Sequence, residues 1–357
     1  MPHTRLLSLD AFRGLTIALM VLVNTPGDHQ NVYAPLRHAD WHGWTITDCI
    51  FPSFVWIVGV AISLALGRKL VQGTVLYRDI FRRTAILFGL GVLLYAFPSF
   101  PIDSFRILGV LQRIAICYCI TSLLFLHTGV REQIAAIFAL LAGYWAIMAW
   151  VPAPGFAAGD LSVEGNIAHY VDRVLLGAHN YSHTKTWDPE GVLSTLPAIA
   201  TCLLGVVAGH VLRSAQAIDR RVQQLLIIGM VLCALALVMD PVLPINKKLW
   251  TSSFTLWMAG LDFIVFGVLL WFVDGRKIIA PFRPFLVLGA NAIAIYLCSE
   301  FLDIILSTLG WREPIYQTLF APYFAPMNAS LAFALCYVLL HFGIAYAMWQ
   351  RKWFLRV

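Results

Sequence analysis

Residues 24–59 read NTPGDHQNVYAPLRHADWHGWTITDCIFPSFVWIVG. Amide, imidazole, carboxylate and indole groups crowd a short polar loop, which runs without a break into an apolar helix. Working outward, apolar runs recur along the whole chain: hydrophobic residues make up 60% and charged residues 12% of the 357. A soluble domain carries roughly 45–50% apolar and about 25% charged residues, so composition alone selects a polytopic membrane protein. The expected fold class is therefore all-α, a transmembrane helical bundle in a lipid bilayer. The rest of the chain reads as a scaffold that holds this loop.

Ten spans are expected, at about 11–23, 47–66, 84–98, 107–126, 133–151, 192–212, 225–239, 249–273, 285–309 and 329–349. The first holds only ten uninterrupted apolar residues, fewer than the roughly 17–25 of a usual span, and reads as a retained span rather than a signal peptide. Assigning alternate loops to alternate sides puts sixteen Lys and Arg on one side, from Arg5 to Arg356, and seven on the other. By the positive-inside rule the richer side is cytoplasmic. Both termini are then cytoplasmic and the loop at 24–47 is outside, as expected for a multi-pass membrane protein. A single domain over 1–357 is expected, with outer loops at about 24–47, 152–191 and 310–328.

The positive charge sits between apolar runs, so orientation explains it and no nucleic-acid partner is expected. The seven cysteines lie in or beside apolar segments without CxxC spacing, which argues against a disulfide framework or structural zinc. His38, Asp40 and His42 tempt a metal reading, but their spacing fixes no ligand set, and no metal is expected. Asp48 precedes a continuous apolar helix. It can cap that helix, orient a nearby imidazole, or do both. Arg13 and Arg113 fall within spans, where guanidinium groups are costly. They either pair internally or meet phosphate oxygens. In the ninth span Tyr296, Glu300, Asp303 and Ser307 form one polar stripe, with Asn291 deeper and Asp262 isolated in the eighth. A hydrated cavity or helix-to-helix polar contacts would each account for them.

The segments LDAFRG, VN, RHADWHGWTITDCIFPSFVWIVGVAISL, GVLQRIAICY, YVDRVLLG, WDPEGVLSTLPAI, PINKKLW and GANAIAIYLCSE, in this order, resemble the heparan-α-glucosaminide N-acetyltransferase family. The resemblance implies transfer of acetyl from acetyl-CoA, as donor substrate, to the amine of glucosamine or a terminal glucosaminide. It places the active-site histidine at His38 and the asparagine near the thioester at Asn24. Ser299 stands before Glu300 where the animal enzyme has a histidine.

Elementary chemistry is consistent with that assignment. An amine attacking a thioester needs a base, and imidazole, with an unperturbed pKa of about 6.5, suits. His38 can act so, or can itself accept acetyl and pass it on. Asn24 would donate to the developing oxyanion and Asp48 would orient the imidazole. Arg13 and Arg113 are the candidates for coenzyme phosphates. Asp188, Glu190, Asn246 and Lys247, with Asn291 and Glu300, are the candidates for the amino-sugar acceptor. The tenth span offers an aromatic-rich face for a homodimer. The rival reading is a transporter of N-acetylglucosamine or a related amino sugar.

Overall fold

A computed structural model describes residues 6–71 and 76–355. Arg5 and Arg356, which entered the charge bias, lie outside the described residues. Among the described residues the chain is all-helical, with thirteen α-helices and no strand: α1 (Leu7–Asn24), α2 (Ile46–Val71), α3 (Tyr77–Ala96), α4 (Val110–His127), α5 (Val130–Trp150), α6 (Ile167–Leu176), α7 (Thr195–Arg213), α8 (Ile218–Met239), α9 (Ser252–Leu269), α10 (Arg283–Gly289), α11 (Ala292–Thr308), α12 (Arg312–Leu319) and α13 (Pro326–Gln350).

Eight of these helices are long and apolar enough to cross a membrane, and the bent pair Ala280–Gly289 and Ala292–Thr308 makes a ninth if taken as one span. The chain is a membrane protein. The expected span at 84–98 lies in α3, which does not meet that measure because Asp79, Arg82 and Arg83 load its first two turns. The expected span at 285–309 is broken, with a bend of 69° between its two helices. Asn291 sits at the break.

The short first span gains length at its start. α1 begins at Leu7, and the backbone N–H groups of Leu7 and Ser8 donate to the Asp274 carboxylate at 3.3 and 2.8 Å. A carboxylate at this end satisfies orphan N–H groups and meets the positive end of the helix dipole.

The chain divides into two compact units. The first holds α1 and the loop to Ala39, residues Trp44–Ile50 at the start of α2, and everything described from Phe266 onward. In it α1 packs closely against α10. A Cβ on Gly14 would lie 1.7 Å from the Phe285 carbonyl oxygen, and one on Gly289 would lie 1.9 Å from that of Asp10. The glycine of LDAFRG is therefore a backbone-contact residue, as small residues are at membrane helix crossings.

The second unit comprises Asp40–Gly43 and Phe51–Val265. Here α2 meets α7 through Gly59 and Gly205, whose added Cβ atoms would fall 1.8 and 2.0 Å from carbonyl oxygens of Cys202 and Trp56. Trp56, Trp250, Phe254 and Phe263 are fully buried around that contact. Between α5 and α7 the chain leaves the helices for a long, ordered segment that carries α6.

Candidate active site

His38 and Asp48 form the tightest catalytic-type pair in the first unit. His38 Nδ1 lies 2.7 Å from Asp48 Oδ1. The histidine side chain is 52% exposed and the aspartate 1%, so a buried carboxylate backs an imidazole open to solvent. The other carboxylate oxygen is held as firmly. Asp48 Oδ2 accepts the backbone N–H groups of Ala39 and Thr45, both at 3.0 Å. Thr45 Oγ1 lies 3.1 Å from the same oxygen and 2.6 Å from the Arg37 carbonyl. Thr45 precedes α2 and Asp48 is its third residue, so the side chain reaches back to the N-cap N–H as in one half of a capping box. Capping and orienting are thus done by one carboxylate. An ionised carboxylate only accepts, so the bond fixes the proton on Nδ1 and leaves the Nε2 lone pair as the basic site of the neutral ring.

In the same unit Asn24, the last residue of α1, donates through Nδ2 to Glu300 Oε1 of α11 at 3.0 Å. Asp303, one turn further along α11, pairs with Arg312 Nε at 3.0 Å. Arg312 Nη2 in turn donates to the Pro26 carbonyl at 2.6 Å. Part of the polar stripe of the ninth span therefore meets the end of α1 and the start of the loop that follows it. Arg13 pairs with Asp10 at 3.3 Å with 29% of its side chain exposed. Asn291 holds the C-terminal segment: its Nδ2 donates to the Trp353 carbonyl, and its Oδ1 accepts from Leu355 N, each at 3.0 Å.

The remaining candidates lie in the second unit, where Arg106 is the hub. Its Nε and Nη2 make a fork on Asp188 at 2.7 and 2.5 Å, and Nη2 also bonds Glu190. The rings of Tyr95 and Tyr181 lie 4.8 and 4.4 Å from the guanidinium carbon. Burial pushes the Asp188 carboxyl up, against the pull of Arg106. Burial acts on Glu190 in the same sense, but Arg106, Arg113 and Lys247 outweigh it and hold that carboxyl below its ordinary value. Asp172 accepts Val192 N at 2.8 Å and Asp188 N at 3.4 Å, and burial raises it to about 6. Arg113 Nη2 donates to the Gly191 carbonyl and Ser194 Oγ at 2.9 and 2.5 Å, and its side chain is buried beside Trp250. Asn246 is also fully buried, with Oδ1 accepting Leu249 N at 3.0 Å.

Residues 40–43, two to five positions beyond His38, are pinned within this second unit. Gly43 N donates to the Ile245 carbonyl at 2.7 Å, Trp41 Nε1 to that of Leu161 at 2.9 Å, and Lys248 Nζ to that of Asp40. His42 Nδ1 lies 3.4 Å from Asn246 Nδ2. Trp41 stands edge-on to His169 and Trp187, which stack at 4.1 Å and 9°. Among the described residues no three His, Cys, Asp or Glu side chains are grouped so as to hold a metal ion.

The family described as heparan-alpha-glucosaminide N-acetyltransferase, catalytic, matches residues 5–235, well over half of the chain. The chain belongs to this family. It is 30% identical over 353 residues to the heparan-alpha-glucosaminide N-acetyltransferase of Homo sapiens, with 83% of this chain and 53% of that protein covered. The Mus musculus protein of the same name is 30% identical over 356 residues, at 84% and 54%. The chain thus spans about half the length of the curated relatives it matches. Asn24, His38 and Asp48 fall inside the family match, and Glu300 lies beyond it.

The structure brings His38 to Asp48, Asn24 to Glu300, and Asp188 to Glu190. It buries Arg113, Asn246 and Asn291 in bonds internal to their units. Sequence reading passed over Thr45, Arg106 and Asp172 as functional residues. Thr45 was legible, since threonine three positions before an acid at a helix start is a capping pattern. Arg106 carried no such signal, because its carboxylate partners stand 82 and 84 residues away.

Proposed function

We propose that the chain is a membrane-bound acetyltransferase that moves acetyl from acetyl-CoA to the amine of glucosamine or a terminal glucosaminide on the outer face of a bacterial inner membrane, with both termini cytoplasmic. The observation that carries the reading is the 2.7 Å bond from His38 to a carboxylate held by two backbone N–H groups. Family membership supports the reaction class, and the excess of Lys and Arg in alternate loops supports the orientation.

The amine nitrogen attacks the acetyl carbon while His38 Nε2 takes its proton. Asp48 keeps the ring in the Nδ1–H tautomer and offsets the imidazolium charge, as the third group of a triad does. Asn24 donates to the oxyanion as the carbon becomes tetrahedral. The C–S bond then breaks, and the proton passes from His38 to the departing CoA thiolate. Arg13 and Asn24 are eleven residues apart on α1, about 16 Å at 1.5 Å per residue. Phosphates near Arg13 and a thioester near Asn24 would be bridged by an extended pantetheine arm. Arg113 is buried among outer-loop groups, which supports a role in holding that loop. Asp188 and Glu190 share Arg106 in the same way, and Lys247, half-buried and acting by its charge on Glu190, remains an acceptor-side candidate at the edge of that group.

Purified protein in nanodiscs, given acetyl-CoA and glucosamine, is expected to release CoA thiol together with N-acetylglucosamine identified by mass spectrometry. His38→Ala is expected to lower that rate at least about 100-fold, the low end of general-base contributions. Sugar accumulation in proteoliposomes without thioester loss would overturn the reading in favour of transport.

A further inference from the structure

The bond between Asn24 and Glu300 has a chemical direction. Asn24 Nδ2 lies 3.0 Å from Glu300 Oε1, and this is the side-chain hydrogen bond that Asn24 makes among the described residues. The amide torsion of an asparagine is broad and two-fold, so the side chain alone does not choose which end it presents. Nor does the surrounding helix choose it. Asn24 ends α1, and the next residue, Thr25, turns its own hydroxyl back to the Val21 carbonyl. Glu300 Oε1 is the acceptor in this bond, so it binds the NH2 end of the amide and occupies one of its two protons.

The geometry points to Glu300 as a positioning residue for Asn24, one that selects the amide orientation in which the second Nδ2–H is kept for the thioester oxygen. This rests on the acetyltransferase reading above and gives Glu300 a role different from contact with the sugar. Glu300 acts through Asn24 and touches neither substrate. Its placement one α11 turn from Asp303, itself paired with Arg312, holds the carboxylate on the face that meets α1. A glutamine at 300 would fill the same volume but could pair with either end of the amide, and the selection would be lost.

A double-mutant cycle with Asn24→Ala and Glu300→Gln tests this, reading kcat and KM for glucosamine in nanodiscs, with thermal unfolding as a folding control. Asn24→Ala is expected to cost about 100-fold in kcat, as loss of one oxyanion donor does. Glu300→Gln is expected to cost about 10-fold in kcat, in the range of outer-shell hydrogen-bond partners, with KM unchanged. In the Asn24→Ala background Glu300→Gln should then cost nothing more. Glu300→Asp, which keeps the carboxylate, should retain more activity than Glu300→Gln, and this comparison holds if the glutamine variant folds poorly. Equal losses in both backgrounds, a raised KM for glucosamine, or an aspartate variant below the glutamine variant would overturn the positioning role while leaving the acetyltransferase standing. A folded wild type without transfer would overturn both.

Discussion

His38 Nδ1 stands 2.7 Å from Asp48 Oδ1, and the second oxygen of that carboxylate is bound by the backbone N–H groups of Ala39 and Thr45. The carboxylate is therefore fixed by the chain segment that follows the histidine it orients. Asp48→Asn keeps the shape but can turn an NH2 toward the ring and select the wrong tautomer. The expected result is a fall in kcat of about 100- to 10,000-fold, toward the loss seen when a triad aspartate is so replaced. Thioester cleavage rates on protein with unchanged thermal unfolding would show it, and a loss below threefold would remove Asp48 from the mechanism.

Thr45→Val is a milder cut at the same place. It removes the hydroxyl that lies 2.6 Å from the Arg37 carbonyl and 3.1 Å from Asp48 Oδ2, while the Thr45 N–H bond to Asp48 stays. The expected cost is about 0.5–1.5 kcal/mol of stability, that of one hydrogen bond. Activity should fall by far less than in Asp48→Asn. Parity of the two variants would mean that the hydroxyl, rather than the carboxylate, sets the histidine.

How far the sequence reveals these groups depends on the separation of their partners. The all-helical membrane class follows from apolar run length, and the pairing of His38 with Asp48 spans only ten residues. The start of α1 at Leu7 needs Asp274, which is 267 residues away, and the bond between Asn24 and Glu300 spans 276. Asn291 reads from sequence as a polar residue for a ligand, and the structure adds that its amide bonds the C-terminal segment at Trp353 and Leu355, 62 and 64 residues away. Type and periodicity disclose elements and local caps, whereas the use of a buried polar side chain is decided by whatever segment folds against it.

Arg106 supplies the sharpest stability test. It serves two buried carboxylates, Asp188 and Glu190, between the rings of Tyr95 and Tyr181. Arg106→Met leaves both acids without that cation, and breaking a buried pair in this way costs about 3–5 kcal/mol. Arg106→Lys is expected to rescue little, since an ammonium cannot reproduce the fork on Asp188 or its stacking. Thermal unfolding in detergent, with proteolysis across residues 160–191, would register the loss. A lysine variant as stable as wild type would show that charge alone suffices.

The stack of His169 on Trp187 predicts how the segment around α6 responds to acid. Burial holds the His169 imidazole down to about 3, from an ordinary 6.5, while its Nδ1 bonds the Val163 carbonyl at 2.8 Å. The folded form thus resists protonation that the unfolded form accepts. Its contribution is complete above about 6.5 and is lost progressively as pH falls toward 3. Asp172 works the other way. Its carboxyl is raised to about 6 from 3.8, so the folded form binds the proton more readily, and acidification through that window stabilises. His169→Phe keeps a ring against Trp187 and removes the titration. Hydrogen exchange of residues 160–191 should then show protection in wild type falling between pH 6.5 and 4.5. In His169→Phe the fall should vanish and a rise, owed to Asp172, should take its place. Adding Asp172→Asn should flatten that rise, and a double variant that still loses protection on acidification would place the acid sensitivity elsewhere in the segment.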